Sequence, residues 1–437
     1  MYEDIGRRAF LRRAGVATAA GVALPALGVG LNGAAASITS DGDADQLFKA
    51  GKFDQADRTY ARQLRQNPDD AHAMAQRGYI ALLINRFGAA ERFLAGAVKL
   101  DAGDVASKQR LAECYVRQDQ HARAVPLLRQ TGRKSDAALA EWYSHLSGTP
   151  WQVHGTQETR VPMTGLEPLP TVTASINGSS PKRFLLDTYA TLSLSEETAT
   201  EAGLKAVASL PGHVGHDPVT QYLGLLPSFR LGNVELRNLP VQWTTGVKMP
   251  NLPDGTQPAG VLGTTVFYHF LTTMDYPGKA LVLRRRTEAQ LRQFRAQAAR
   301  TAFDRLPLWL AGDHFPFTLG SLREYGPRFV SLDTGGLGQG FSTTVDIAER
   351  AGIQVDYDKP QGPEGSGRYA ATAEKISLGR AVGHDIPGWA GPGGPGPGQS
   401  ETLGFDSIAN VSHVFCKPFA LTFDYTHMHL YITGESL

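Results

Sequence analysis

The polar and apolar positions change their rhythm partway along the chain. From about residue 43 to 132 apolar residues recur at helical spacing with small side chains at a fixed interval. Ala56, Ala90 and Ala124 stand 34 residues apart, as do Phe53, Phe87 and His121, and Tyr60, Leu94 and Leu128. Three registers repeating together predict paired helices that cross at small residues and stack to bury a continuous core. Leu139, Trp142, Tyr143 and Leu146 keep helical spacing over Ser135–Leu146 and predict a closing helix. Past a loop expected at 148–165 the period falls to two. Thr171–Ile176 alternates as a strand, Asn177-Gly178 supplies a hairpin turn, and the return strand Phe184-Leu185-Leu186 delivers Asp187. Helical spacing returns between 284 and 303, where Thr287 and Gln290 form a capping box and Leu291, Phe294 and Ala298 share one face.

The β-rich part says everything twice. Phe329-Val330-Ser331-Leu332-Asp333-Thr334 restates Phe184-Leu185-Leu186-Asp187-Thr188, 146 residues further on, and Leu378-Gly379-Arg380 restates Leu231-Gly232-Asn233 at an offset of 147. Each half then has a glycine-punctuated hairpin, near Gly212–Gly224 and Gly362–Gly367, and an Asp-Tyr pair, Asp275-Tyr276 and Asp424-Tyr425. Offsets that hold this well point to duplication of one lobe. The chemistry follows from the pairing: a lone Asp on a buried strand is costly to ionise, whereas two brought together across a pseudo-twofold axis can share one proton and activate water.

Composition narrows the alternatives. With 42% apolar and 19% charged residues in 437, the chain has the balance of a soluble globular protein of two or three domains. A formal charge of +1 leaves no field to hold a polyanion, so nucleic acid is excluded as the main partner, and Arg284-Arg285-Arg286 is too short to change that. Cys114 and Cys416 fall in different units and read as two free, buried thiols. Gly336-Leu337-Gly338-Gln339-Gly340 lacks phosphate-loop spacing, His427 and His429 lack a third metal ligand, and His213 and His216 belong to the first hairpin as solvated residues. There is neither a His-Glu-x-x-His helix nor a Gly-x-Ser-x-Gly elbow. No metal or organic cofactor is called for.

Three resemblances extend this reading. Gly6-Arg7-Arg8-Ala9-Phe10-Leu11-Arg12, the weakly apolar stretch Ala14–Leu31 and Ala34-Ala35-Ala36 resemble a bacterial twin-arginine signal, which implies cleavage after Ala36, a periplasmic or secreted protein, and no membrane attachment afterwards, with a retained membrane anchor as the alternative. The 34-residue period, with Gly78, Tyr115 and Asn67-Pro68 at family positions, resembles the tetratricopeptide repeat, which implies a groove for a peptide or protein partner, with a spacer or dimerisation surface as the alternative. The two Asp-Thr lobes resemble the retropepsin-like aspartic protease family as a tandem in one chain. That resemblance implies a polypeptide substrate, Asp187 and Asp333 as the catalytic pair, Thr188, Thr334 and Gly335 in the supporting turns, and inner loops at Val261-Leu262-Gly263 and Thr402-Leu403-Gly404. Tyr189 replaces the family's first-lobe glycine, which implies a changed turn or a ring swung out of the site. Gly336 replaces a small side chain and is expected to loosen its loop.

The expected organisation is a signal at 1–36, a helical array at 43–147, a linker at 148–165, lobes at 166–283 and 304–437, and an inter-lobe helix at 284–303. The fold class is an all-α tetratricopeptide-like array followed by an all-β two-lobed, pepsin/retropepsin-like aspartic protease fold. The function expected is endopeptidase action on a polypeptide recruited by the repeats, and the alternative is a catalytically impaired, peptide- or protein-binding scaffold.

Overall fold

The computed structural model describes residues 44–437 apart from 215–216, 248, 301, 363–364, 393–401 and 435–437. The signal stretch, His216 and most of the glycine- and proline-rich run from Gly391 to Gly398 lie outside the described residues. Seven helices come first: α1 (Ala44–Lys49), α2 (Phe53–Gln66), α3 (Ala71–Leu83), α4 (Phe87–Leu100), α5 (Val105–Val116), α6 (His121–Arg129) and α7 (Lys134–Ser144). Asp70 and Asp104 start α3 and α5 by accepting the amides of Ala73 and Ser107 at 2.9 and 3.0 Å, which satisfies donors a helix start leaves open. The repeated registers are the core positions: Ala56, Ala90, Ala124 and Leu94 are all 0% exposed. Gly78 lets α3 and α4 approach closely, since a Cβ there would stand 2.6 Å from Leu94 Cγ.

The lobes follow. In the first, Thr171–Ile176 and Lys182–Leu186 form a hairpin whose turn has φ of 49° at Asn177 and 78° at Gly178, the primed geometry that Asn-Gly favours. Lys182–Leu186 then pairs in parallel with Gly260–Leu262, and the long hairpin Ala206–Val214/Asp217–Leu231 lies to the side. The second lobe repeats the plan, with Tyr325–Asp333 parallel to Ala409–Ser412 and a hairpin of Gln354–Pro360 and Tyr369–Leu378. The strand behind Asp333 is thus Ala409–Ser412, which corrects the inner loop expected at Thr402-Leu403-Gly404. That tripeptide matched by composition, whereas the true partner carries Asn410 and Ser412 where the first lobe has Val261 and Gly263.

One antiparallel sheet joins the lobes, in the order Ala302–Pro307, His429–Thr433, Ala420–Asp424, Phe270–Asp275, Ala280–Arg285, Glu158–Gly165. At its centre Thr273 faces Thr422 with their hydroxyls 2.7 Å apart, which marks the pseudo-twofold axis. The expected linker is therefore also corrected. Gln152–Gly155 pairs with Val234–Thr244, and Glu158–Gly165 closes the joining sheet with Thr159, Val161 and Met163 turned inward. Its short alternation around Pro162 was masked by flanking Gly and Thr. The helix Glu288–Ala298 packs Leu291, Phe294 and Ala298 onto Leu271 and Tyr431 of this sheet. Arg284 of the basic run is inside it, bonded to Glu158 and Thr273.

The array does not stand apart. Phe53 meets Phe329 and Phe405 at ring-centroid distances of 5.1 and 5.3 Å, and Phe48 meets Phe405 at 6.3 Å. Each such side chain withdrawn from water contributes about 2–3 kcal/mol. Polar contacts fix the fit: Asn85 Nδ2 donates to the Tyr425 carbonyl at 2.7 Å, and Trp142 Nε1 to the Gly224 carbonyl, on the first lobe's long hairpin, also at 2.7 Å. The part of the array that carries Phe48, Phe53, Asn85 and Trp142 is thus covered by the chain's own lobes.

Candidate active site

Two apolar strands end in turns that meet. Leu186 and Leu332 are fully or nearly fully buried, and the Asp-Thr steps after them leave both carboxyls in the interior, Asp187 at 0% and Asp333 at 1% exposure. The threonines tie the turns together reciprocally. The Thr188 amide donates to Thr334 Oγ1 at 3.0 Å and the Thr334 amide to Thr188 Oγ1 at 3.1 Å, while Thr188 Oγ1 donates on to the Leu332 carbonyl at 2.8 Å and Thr334 Oγ1 to that of Leu186 at 3.4 Å. All four bonds cross between the lobes and involve three buried groups on each side, and breaking one costs about 1–3 kcal/mol when a buried donor is stranded.

Gly335 lies between the acids. Its amide donates to Asp333 Oδ1 at 2.8 Å, and a Cβ on it would stand only 2.2 Å from Asp187 Oδ2. Both carboxyls therefore contact one residue. Asn410 Nδ2 donates to Asp333 Oδ2 at 3.0 Å, and the Asn410 side-chain oxygen accepts from Ser331 Oγ at 2.5 Å, so the amide is held with its donor toward the acid. Ser412 Oγ donates to the Asp333 carbonyl at 2.8 Å. Behind the pair sit Tyr276 and Cys416, each 1% exposed. Burial first, then Cys416 and the negative charge of Asp187 and Asp333, holds the Tyr276 hydroxyl well above the ordinary phenol range. Burial and Asp333 likewise push the Cys416 thiol up, so it stays protonated and is no nucleophile.

Tyr189 resolves the conflict its size raises. Its amide donates to Asp187 Oδ1 at 2.7 Å, the counterpart of the Gly335 bond, and its backbone is not in the left-handed region. The ring is 7% exposed and packs on Phe315 of the second lobe at a centroid distance of 4.6 Å. The turn is kept, and at this position the lobes differ in the side chain and not in the backbone bond to the acid.

Gly336 does not loosen its loop, contrary to expectation. A Cβ there would stand 2.0 Å from Ser412 Oγ, and in the first lobe a Cβ on Gly263 would stand 1.8 Å from the Ala190 carbonyl. Each lobe thus has a glycine where the turn and the inner strand meet, against backbone in the first lobe and against the Ser412 side chain in the second. Asn410, Ser412 and Phe315 were not found from the sequence. The first two lie where counting from Asp333 by the first lobe's spacing falls three residues short, and Phe315 comes from the other lobe.

Among the described residues no group of three or more His, Cys, Asp or Glu stands where it could hold a metal ion. His427 Nδ1 faces Asp424 at 3.2 Å in the turn before the strand that carries His429.

No curated protein matches the chain. Among solved structures it is similar to a mutant O-GlcNAc transferase of Thermobaculum terrenum at 22% identity and a TM-score of 0.22, over 26% of this chain and 24% of that one, so the chain spans about a quarter of that structure's length. Residues 172–266 match the family model described as aspartyl protease, a span that runs from the strand before Asp187 through its Asp-Thr turn and long hairpin to the strand behind it. With a helical region before it and a β-rich, two-lobed unit around it, that match is consistent with an aspartic protease domain and supports a peptidase-like function.

Proposed function

We propose that the protein is an exported aspartic endopeptidase whose acid pair is Asp187 and Asp333. The observation that carries this reading is the contact of both carboxyls with Gly335, between turns locked by Thr188 and Thr334. On this reading the two carboxyls work as one unit, one ionised and the other protonated. The ionised member takes a proton from a water molecule as its oxygen attacks the scissile carbonyl carbon, and the protonated member hydrogen-bonds the carbonyl oxygen. The tetrahedral adduct then collapses, the C–N bond breaks, and a proton passes to the departing amine. Asn410 keeps its donor on Asp333 Oδ2 and so orients that acid.

A second reading, a catalytically impaired scaffold that binds peptide, is favoured by one observation: the Tyr189 ring is inside the molecule, against Phe315. Cleavage of an unstructured protein separates the two. On the peptidase reading Asp333→Asn lowers turnover at least about a thousandfold with the fold intact, because the pair can no longer share a proton. If wild type and Asp333→Asn are equally inert while Tyr189→Gly gains activity, the scaffold reading replaces it.

A further inference from the structure

A cavity of about 170 Å³ lies in the seam where the array covers the lobes. Its walls come from three parts of the chain: Leu139 and Trp142 from the array, Leu210 and Leu223 from the first lobe's long hairpin, and Phe315 from the second lobe. It adjoins the candidate active site, because Phe315 carries the Tyr189 ring and Thr191 and Leu192, just past the Asp187 turn, also line it. A water needs roughly 10–15 Å³ by this measure, so the space takes a group of roughly ten non-hydrogen atoms, one amino-acid residue rather than a solvent molecule.

The charges around it are unevenly settled. Glu113 accepts from Arg117 at 2.8 Å, and Arg117 also donates to the Leu310 carbonyl and to Asn85. Burial, only partly offset by Arg117 and more weakly by the charge of Arg110, leaves the Glu113 carboxyl above its usual range. Asp313 is paired with its neighbour His314, and His269 with Asp119 at 3.0 Å. Arg110 differs. Its guanidinium stacks on the buried Tyr79 ring at 3.9 Å, and among the described residues no carboxylate forms an ion pair with it and no acceptor takes its hydrogen bonds. Stacking fixes the plane of an arginine while leaving its edge donors available, the arrangement that suits a carboxylate.

We propose that this seam cavity is a subsite for a carboxylate on an apolar stem, with Arg110 taking the carboxylate and Leu139, Trp142, Leu210 and Leu223 the stem. It rests on the peptidase reading only in identifying the ligand as part of a polypeptide. The carboxylate then comes from a chain terminus or from an Asp or Glu side chain, and the array sets which peptides the cleft accepts.

Trp142 and Trp151 both line the cavity, so binding is read from tryptophan fluorescence of the full chain. The probes are N-acetyl-leucine against N-acetyl-leucinamide, and N-acetyl-glutamate α-amide against N-acetyl-glutamine α-amide. At least one acid is expected to bind about tenfold or more tightly than its amide, as a charge-assisted hydrogen bond implies, and the pair that discriminates tells terminus from side chain. Arg110→Gln is expected to remove that preference and leave amide binding unchanged. Leu139→Trp, which fills the space, is expected to abolish binding of every probe. Equal affinity for acid and amide in both pairs, no binding by wild type, or a preference that survives Arg110→Gln would each overturn the proposal. The preference is expected unchanged in Asp333→Asn, so loss of cleavage and loss of this subsite are told apart.

Discussion

The backbone of Gly335 serves both acids, through its amide on Asp333 and its bare Cα facing Asp187. Nothing larger fits, because a methyl group would stand 2.2 Å from one carboxyl oxygen of Asp187 and 2.3 Å from its carbon. The neighbours are backbone-anchored on both sides, so the contact is relieved only by moving Asp187 or spreading the two turns. Gly335→Ala is therefore expected to lower kcat/KM at least about a hundredfold and to destabilise the fold by about 1–3 kcal/mol, read from cleavage assays and urea unfolding. Retention of the wild-type rate would mean that the acids are not held as described. Tyr189 shows the limit of reading this site from the sequence. Its identity revealed a departure from the glycine pattern, but the outcome depended on Phe315, which approaches from the other lobe and has no sequence relation to Tyr189.

At the scale of elements, the periods were the legible part. Ala56, Ala90 and Ala124 marked the helix crossings, and Asn177-Gly178 and the repeated Asp-Thr steps marked the hairpin and the duplicated strands, because each depends on local spacing that duplication preserves. What drifted between the copies was hidden. Ala190 and Gly263 in the first lobe stand where the second lobe has Gly336 and Ser412, so the glycine lies on the other strand and the close approach is to backbone in one lobe and to a side chain in the other. Searching for an apolar pair before glycine therefore led to Thr402-Leu403-Gly404 and passed over Ala409–Ser412. The contact between Gly336 and Ser412 makes a prediction. Gly336→Ala alone is expected to cost about 1–3 kcal/mol by driving a Cβ to 2.0 Å from Ser412 Oγ. Adding Ser412→Gly removes the side-chain atoms that the new Cβ would meet, and the double variant is expected to be more stable than the sum of the singles by at least about 1 kcal/mol. Strict additivity in urea unfolding would show that the two positions do not compensate.

Over the whole molecule, the array and the lobes share their interior. Phe48 and Phe53 belong to one apolar cluster with Phe317, Phe329 and Phe405, so the helices stabilise the β unit instead of merely being joined to it. His121 lies at this seam, 3% exposed, with its ring edge-on to Tyr143 at 4.8 Å. Burial, opposed by Asp119 and by Asp313, pushes its pKa down to about 4, so the folded protein holds it neutral. An unfolded chain binds a proton there near pH 6.5. Between those values the unfolded state carries more protons than the folded one, so stability is complete above about pH 6.5 and falls as the pH drops toward 4. The difference amounts to about 3 kcal/mol from this one residue. His413, fully buried in the second lobe, is pushed to about 4 by burial and then Lys417, and adds to the same slope. His121→Phe keeps the packing on Tyr143 and removes the titration. Relative to wild type it is expected to gain about 3 kcal/mol on going from pH 7 to pH 4 in urea unfolding. The gain concerns the whole fold, array and lobes together, since unfolding either exposes the core they share. Parallel stability curves for the two proteins would mean that His121 is protonated or solvated in the native state, and the seam would then be looser than its packing indicates.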